Sequence, residues 1–167
     1  MSLPRLFKHI IYPPWLVQRY FPPSSLERIE AAIQTSERKH NGEIRFAVES
    51  SLDCRALFQD EPCRTRGIEV FSELRIWDTE KNNGVLIYLL LADRDVEIIA
   101  DRGISSKVDP SEWERVCQMM EEKFRNHQFD EGVIVGIQEI ERLLIAHFLP
   151  EPGLSNENQL SDKPVIL

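Results

Sequence analysis

Residues 77–104, WDTEKNNGVLIYLLLADRDVEIIADRGI, hold two apolar runs, Val85 to Leu91 and Val96 to Ala100, joined by the charged turn Asp93-Arg94-Asp95. The first run is apolar at every position, as expected of a central strand covered on both faces, and the second returns beside it as a shorter antiparallel partner. Asn82-Asn83-Gly84 and Asp101-Arg102-Gly103 close the ends of this hairpin with turn-forming residues. With Asp93-Arg94 as a two-residue turn, paired residues sum to 187, so that Leu86 faces Asp101 and Gly84 faces Gly103.

Upstream, Ile44, Phe46 and Val48 alternate with Glu43, Arg45 and Glu49, the period of a strand with one wetter side. Ser24 with Glu27 opens a helix whose stripe is Leu26, Ile29 and Ile33 and which stops at Asn41-Gly42. Val70, Phe71, Leu74 and Trp77 mark a second helix ending near Asp78. A strand, a helix and a strand in this order make the first two strands parallel neighbours. Downstream, Asp109-Pro110 starts a helix on Trp113, Val116, Cys117, Met120 and Phe124, and Asp130 caps a last one on Val133, Ile137, Ile140 and Leu144. Gly132-x-x-x-Gly136 lets that last helix approach the sheet. The order helix, strand, helix, strand, strand, helix, helix predicts an α/β fold: a three-layer α/β/α sandwich around a small mixed sheet.

The chain divides into an irregular arm rich in proline and aromatics (1–23), a domain (24–149) and a polar, flexible tail (150–167). Hydrophobic residues at 42% and charged residues at 29% of 167 suit one soluble globular unit, and no apolar run is long enough for a transmembrane segment. Cys54, Cys63 and Cys117 form no C-x-x-C pair, which fits reduced thiols. With Pro13-Pro14 interrupting any secretory apolar core, a cytoplasmic location is expected. A net charge of −8 disfavours nucleic acid. The arm holds Arg5, Lys8 and Arg19 and no acid, leaving −11 on the rest (−8 less the arm's +3).

Three segments together resemble the TPM domain family: the tryptophan-containing helix end followed by Asn83-Gly84-Val85-Leu86-Ile87, the turn Asp93-Arg94-Asp95 leading to Val96-Glu97-Ile98, and Asp101-Arg102-Gly103-Ile104 where relatives carry Gly-x-Gly. The resemblance spans about Leu26 to Phe148. Ala100-Asp101 departs from the usual glycine, and the secretion signal and membrane tail common in relatives are not seen. The resemblance implies an α/β/α sandwich, calcium binding in some members, weak acid phosphatase activity in some, and work in envelope or membrane-complex maintenance.

The residues themselves suggest a site. The hairpin gathers Asp78, Asn82, Asn83 and Asp101 at one sheet edge, hard oxygen donors suited to Ca2+ or Mg2+, with Asp130 a further donor of unknown placement. The same residues serve equally as turn and cap groups, since no ligand series of fixed spacing is present. Phosphoryl chemistry there would need a metal to offset the acids, with Asp101 as the nucleophilic carboxylate and Arg102 on the phosphate. Asp93 and Asp95, with Glu49, read as a solvated turn at the opposite edge. The arm, with Tyr12, Trp15, Tyr20 and Phe21 beside its cations, either meets a partner or an anionic membrane, or wraps its own domain, which Pro13-Pro14 and Pro22-Pro23 favour. The expected function is a non-catalytic accessory or interaction module with a protein partner in a membrane-associated complex; a weak metal-assisted phosphatase is the alternative.

Overall fold

The computed structural model describes residues 3–150 and 158–167. Three helices open the chain, α1 (Leu3–Ile11), α2 (Trp15–Tyr20) and α3 (Pro23–Glu37), followed by β1 (Glu43–Glu49), α4 (Cys54–Phe58) and α5 (Cys63–Glu73). The hairpin β2 (Gly84–Leu90) and β3 (Asp95–Ala100) comes next. Then follow α6 (Arg102–Ser105), α7 (Pro110–Arg125), α8 (Phe129–His147) and β4 (Val165–Ile166). The sheet order is β3-β2-β1-β4, with β1 parallel to β2 and to β4, and β3 antiparallel to β2.

Strand alternation sorts the core into two layers. Ile44, Phe46, Val48, Val85, Ile87 and Leu89 pack against Ile29 and Ile33 of α3, Val116 and Met120 of α7, and Val133 and Ile137 of α8. Ala47, Leu86, Tyr88, Leu90 and Ile99 pack on the other face against Leu57 of α4 and Val70 and Phe71 of α5. The sandwich expected from the order of elements is therefore the observed one.

Local expectations are corrected in several places. The arm is not irregular: prolines punctuate two helices instead of preventing them, and Val17 and Phe21 are fully buried. The tail is not wholly loose, since Val165 and Ile166 pair with Ala47 and Val48, and Leu167 N donates to Val48 O at 3.0 Å; residues 151–157 lie outside the described residues. The wetter side of β1 is dry, with Glu43 and Arg45 buried beneath the returning C-terminal segment. α5 ends at Glu73, leaving Trp77 exposed in the following turns. Gly132 and Gly136 serve helix pairing: a side chain at either would overlap Phe124 or Met120 of α7, not the sheet.

Candidate functional site

The β2–β3 register decides what meets at the polar end of the hairpin. Leu90 pairs with Asp95 and Val85 with Ala100, so paired residues sum to 185, and the turn is the four residues Leu91 to Arg94, closed by Arg94 at φ 54°. The expected 187 is thus corrected by two. An even slip leaves every side chain on its face but moves Asp101, not Gly103, opposite Gly84. Asp101 N donates to Gly84 O at 2.9 Å, Gly103 N to Asn82 O at 2.8 Å, and Arg102 Nε to Asn82 Oδ1 at 3.2 Å.

Asn82 supplies the left-handed residue of its turn at φ 51°. Asn83 is fully buried; its Nδ2 donates to Asn41 O at 2.6 Å, its N donates to Thr79 Oγ1 at 3.1 Å, and its Oδ1 has no partner among the described residues. Asp101 caps α6 by accepting Arg102 N on Oδ1 at 2.7 Å, while its Oδ2 is buried and has no partner among the described residues. Asp78 is exposed at the start of the same loop. Asp130 is elsewhere. Asn41 N donates to Phe148 O, so the C-terminus of α8 sits at this polar end, and Asp130, near the helix start, lies about 25 Å away along it. There it accepts from Arg28 Nη1 at 2.7 Å and Ser25 Oγ at 3.0 Å. Of the five proposed ligands, Asn82, Asn83 and Asp101 come together at the joined chain ends. Among the described residues no group of three or more His, Cys, Asp or Glu is arranged around a common metal position.

A second polar cluster escaped the sequence. Glu37 Oε1 accepts Ile44 N at 2.7 Å, Glu43 accepts Gln159 N at 3.2 Å and Leu160 N at 3.1 Å, and these acids line a cleft of about 420 Å3 with Asp162. Burial pushes the Glu37 carboxyl up to about 9, with Glu43 and Asp162 adding to it, and the Glu43 carboxyl up to about 7. Arg45 is buried beside them with Nη1 unpartnered, and burial lowers its pKa. Charged letters alternating with apolar ones were the only signal, and they read as exposure.

The acids of the β2–β3 turn are corrected too. Asp93 anchors the arm: Arg5 Nη2 donates to its Oδ2 at 2.8 Å, and His9 Nε2 meets its Oδ1 at 3.0 Å. Because Leu52 N donates to His9 Nδ1 at 3.0 Å, the ring proton sits on Nε2 and points at Asp93. Burial raises the Asp93 pKa, but the hydrogen bonds from Arg5 and His9 outweigh it and hold the carboxyl below its ordinary range. Glu49 accepts from Tyr88 Oη at 2.6 Å and Arg66 Nε at 3.0 Å. With its inner face so tied down, α1 turns Phe7 (63% exposed), Ile10 (69%) and Ile11 (66%) to solvent, and Trp15 (61%) follows on α2.

The family model of the TPM domain matches residues 18–143. The chain belongs to the TPM domain family. Its fold is that of the BA42 protein from the psychrophilic bacterium Bizionia argentinensis, solved by NMR, with a TM-score of 0.75, 24% identity, and coverage of 86% of this chain and 92% of that one. The N-terminal domain of a P. gingivalis protein, also solved by NMR, matches with a TM-score of 0.62 and 15% identity over 84% and 94% of the two chains. A search of curated proteins finds no match. In this TPM domain, Asn82, Asn83 and Asp101 fall within the matched span, whereas the exposed residues of α1, Trp15 and Asp162 fall outside it.

Proposed function

We propose that this TPM-domain chain is a non-catalytic accessory module that rests through α1 on an anionic lipid surface, on the cytoplasmic side, and serves a membrane-associated protein complex there. The outward face of α1 carries the proposal. Phe7, Ile10 and Ile11 stand three and four residues apart on one stripe, and Trp15 extends it beyond Pro13-Pro14. Exposed Lys8 and Arg19 flank the stripe, and no acid precedes Glu27. Aromatic and aliphatic residues beside cations suit the interface of an anionic bilayer, and soluble monomers seldom leave so contiguous an apolar patch. No helix among the described residues is long and apolar enough to cross a membrane, so attachment would be peripheral. The three free cysteines support a reducing compartment.

Sedimentation with phosphatidylserine-containing vesicles tests this. The wild-type chain is expected to pellet at low salt and to be released as salt screens Lys8 and Arg19. The variant Phe7→Ser/Ile10→Ser/Ile11→Ser/Trp15→Ser is expected to lose at least about tenfold in partitioning with its melting temperature unchanged. Equal pelleting of the two chains would end the proposal.

A divalent cation at the joined hairpin ends is a second property we propose, supported by the buried, unpartnered Asn83 Oδ1 and Asp101 Oδ2. Calcium titration followed by amide NMR is expected to move residues 78–84 and 101–104, and no response at millimolar calcium would remove it. A phosphatase working through the same edge has less support, because Asp101 Oδ1 is already committed to the α6 cap.

A further inference from the structure

The order β3-β2-β1-β4 leaves one long side of β3 without a neighbouring strand. Asp101 N bonds Gly84 O, so Asp95, Glu97 and Ile99 turn their backbone groups toward β2, and alternation turns those of Val96, Ile98 and Ala100 outward. Arg64 Nη1 touches the Ile98 carbonyl at 3.4 Å, and the Cys117 thiol lies by the Ile98 amide. The outward groups of Val96 and Ala100 have no partner among the described residues. Sheet edges of this kind are normally blocked by proline, a bulge or a covering element. This one has no proline and keeps a continuous register; Arg64 and Cys117 cover it at Ile98, Val96 and Ile98 are only 3% and 4% exposed, and it borders a groove of about 560 Å3 into which a strand enters by displacing those two side chains.

The groove has two walls and an excess of negative charge. Arg64 of α5 stands on one side and Trp113, Glu114 and Glu121 of α7 on the other. Of its four carboxylates, Glu97 is held by Arg64 at 2.9 Å and Glu121 by Arg125 at 3.0 Å, while Asp95 and Glu114 have no ion pair among the described residues. Burial and the neighbouring carboxylates raise the Asp95 pKa, as expected where negative charge lacks a counter-ion.

We propose that this groove receives an extended, cationic segment of a partner protein, which adds to β3 as a fifth strand. Backbone pairing with Val96 and Ala100 gives affinity independent of sequence, and the run from Val96 to Ala100 accommodates about five residues, roughly 13 Å. Lysine or arginine at alternate positions meets Glu97 on one wall and Glu114 on the other, and one cation lies over the Trp113 ring. The proposal goes beyond lipid attachment and does not require it; the residues lining the groove come from β3, α5, α6 and α7, and none of them from α1.

The test is an amide NMR titration of the full chain with an acetylated, amidated hexapeptide of alternating lysine and valine. Val96 and Ala100 amides are expected to shift downfield and to exchange at least about tenfold more slowly when bound. The glutamate-valine counterpart is expected to bind at least about tenfold more weakly, as is the lysine peptide to Glu97→Gln/Glu114→Gln, whose own spectrum reports its fold. The α1 serine variant is expected to bind the peptide as wild type does, separating this result from the vesicle assay. Absence of shifts along β3 at millimolar peptide overturns the proposal. So does equal binding of a lysine peptide with a central proline, which cannot complete the ladder, or of the acidic peptide.

Discussion

Gly84→Ala is expected to lower the melting temperature by about 6–12 °C. A Cβ at this position would overlap the Ile76 carbonyl oxygen and stand 2.7 Å from Ile76 Cγ2. The carbonyl is main chain and cannot swing aside as a side-chain end would. Ile76 is itself fully buried beneath the sheet, so relief requires moving the loop between α5 and β2 or the start of β2. Overpacking of this kind costs about 3 kcal/mol, and a domain of this size loses about 2–4 °C per kcal/mol. Gly67→Ala is the control. It adds the same methyl group on α5, but the nearest atoms are side-chain carbons that need to give by only a few tenths of an ångström, Tyr88 Cδ1 at 3.3 Å and Ile99 Cγ1 at 3.4 Å, and alanine favours the helix by about 1 kcal/mol over glycine. A thermal melt that places Gly84→Ala within about 2 °C of wild type would show that the loop yields freely.

The hairpin was legible because both of its faces are covered, so that burial is written directly into the apolar runs from Val85 and from Val96. Its register was not, because Asp93-Arg94 looks like a two-residue turn. In fact the chain spends Leu91 to Arg94 there, and Asp93 is drawn off to Arg5 and His9, 88 and 84 residues away in sequence. Asn82 and Asp101 stay near one another despite the error, because a slip of two preserves faces and sets Asp101 opposite Gly84 instead of Leu86. Asp130 had no legible placement for a simpler reason: sequence shows that it starts a helix but not which end of the sheet that helix begins from. Glu37, Glu43 and Arg45 were illegible as a cluster because what buries them is the segment around Leu160 and Asp162, more than a hundred residues downstream. A strand of two residues such as β4 carries no periodicity, and only its pairing with Ala47 and Val48 defines it.

That buried cluster sets the response to pH. Wild-type stability is expected to fall from about pH 5 to pH 9, and Glu37→Gln to abolish much of the fall. Glu37 titrates at about 9 in the folded chain against an ordinary value of 4.5, because burial disfavours its charge more than the Ile44 amide favours it. Between those values the folded state keeps a proton that the unfolded chain has released. Such a raised group contributes stability that is complete below pH 4.5 and is lost as pH climbs to 9, at up to about 1.4 kcal/mol per unit. Glu43, at about 7, adds a second loss of the same sign between 4.5 and 7. His40 opposes them: burial lowers it from 6.5 to about 4, so across that window the unfolded chain takes up a proton the folded chain refuses, and stability rises with pH. From 4.5 to 6.5 two losses face one gain, from 6.5 to 7 both losses stand alone, and above 7 only Glu37 continues. Glutamine at position 37 reproduces the protonated form, with an oxygen for the Ile44 amide and an NH2 for the Asp162 carboxylate, which hydrogen-bonds Glu37 in the wild type. Urea unfolding at pH 5 is therefore expected to separate the two proteins by no more than about 1 kcal/mol, and at pH 8.5 to favour the variant by about 2 kcal/mol more than at pH 5. A gap of the same size at both pH values would mean that the proton sits elsewhere, and that the C-terminal segment is held over β1 without the help of a neutral Glu37.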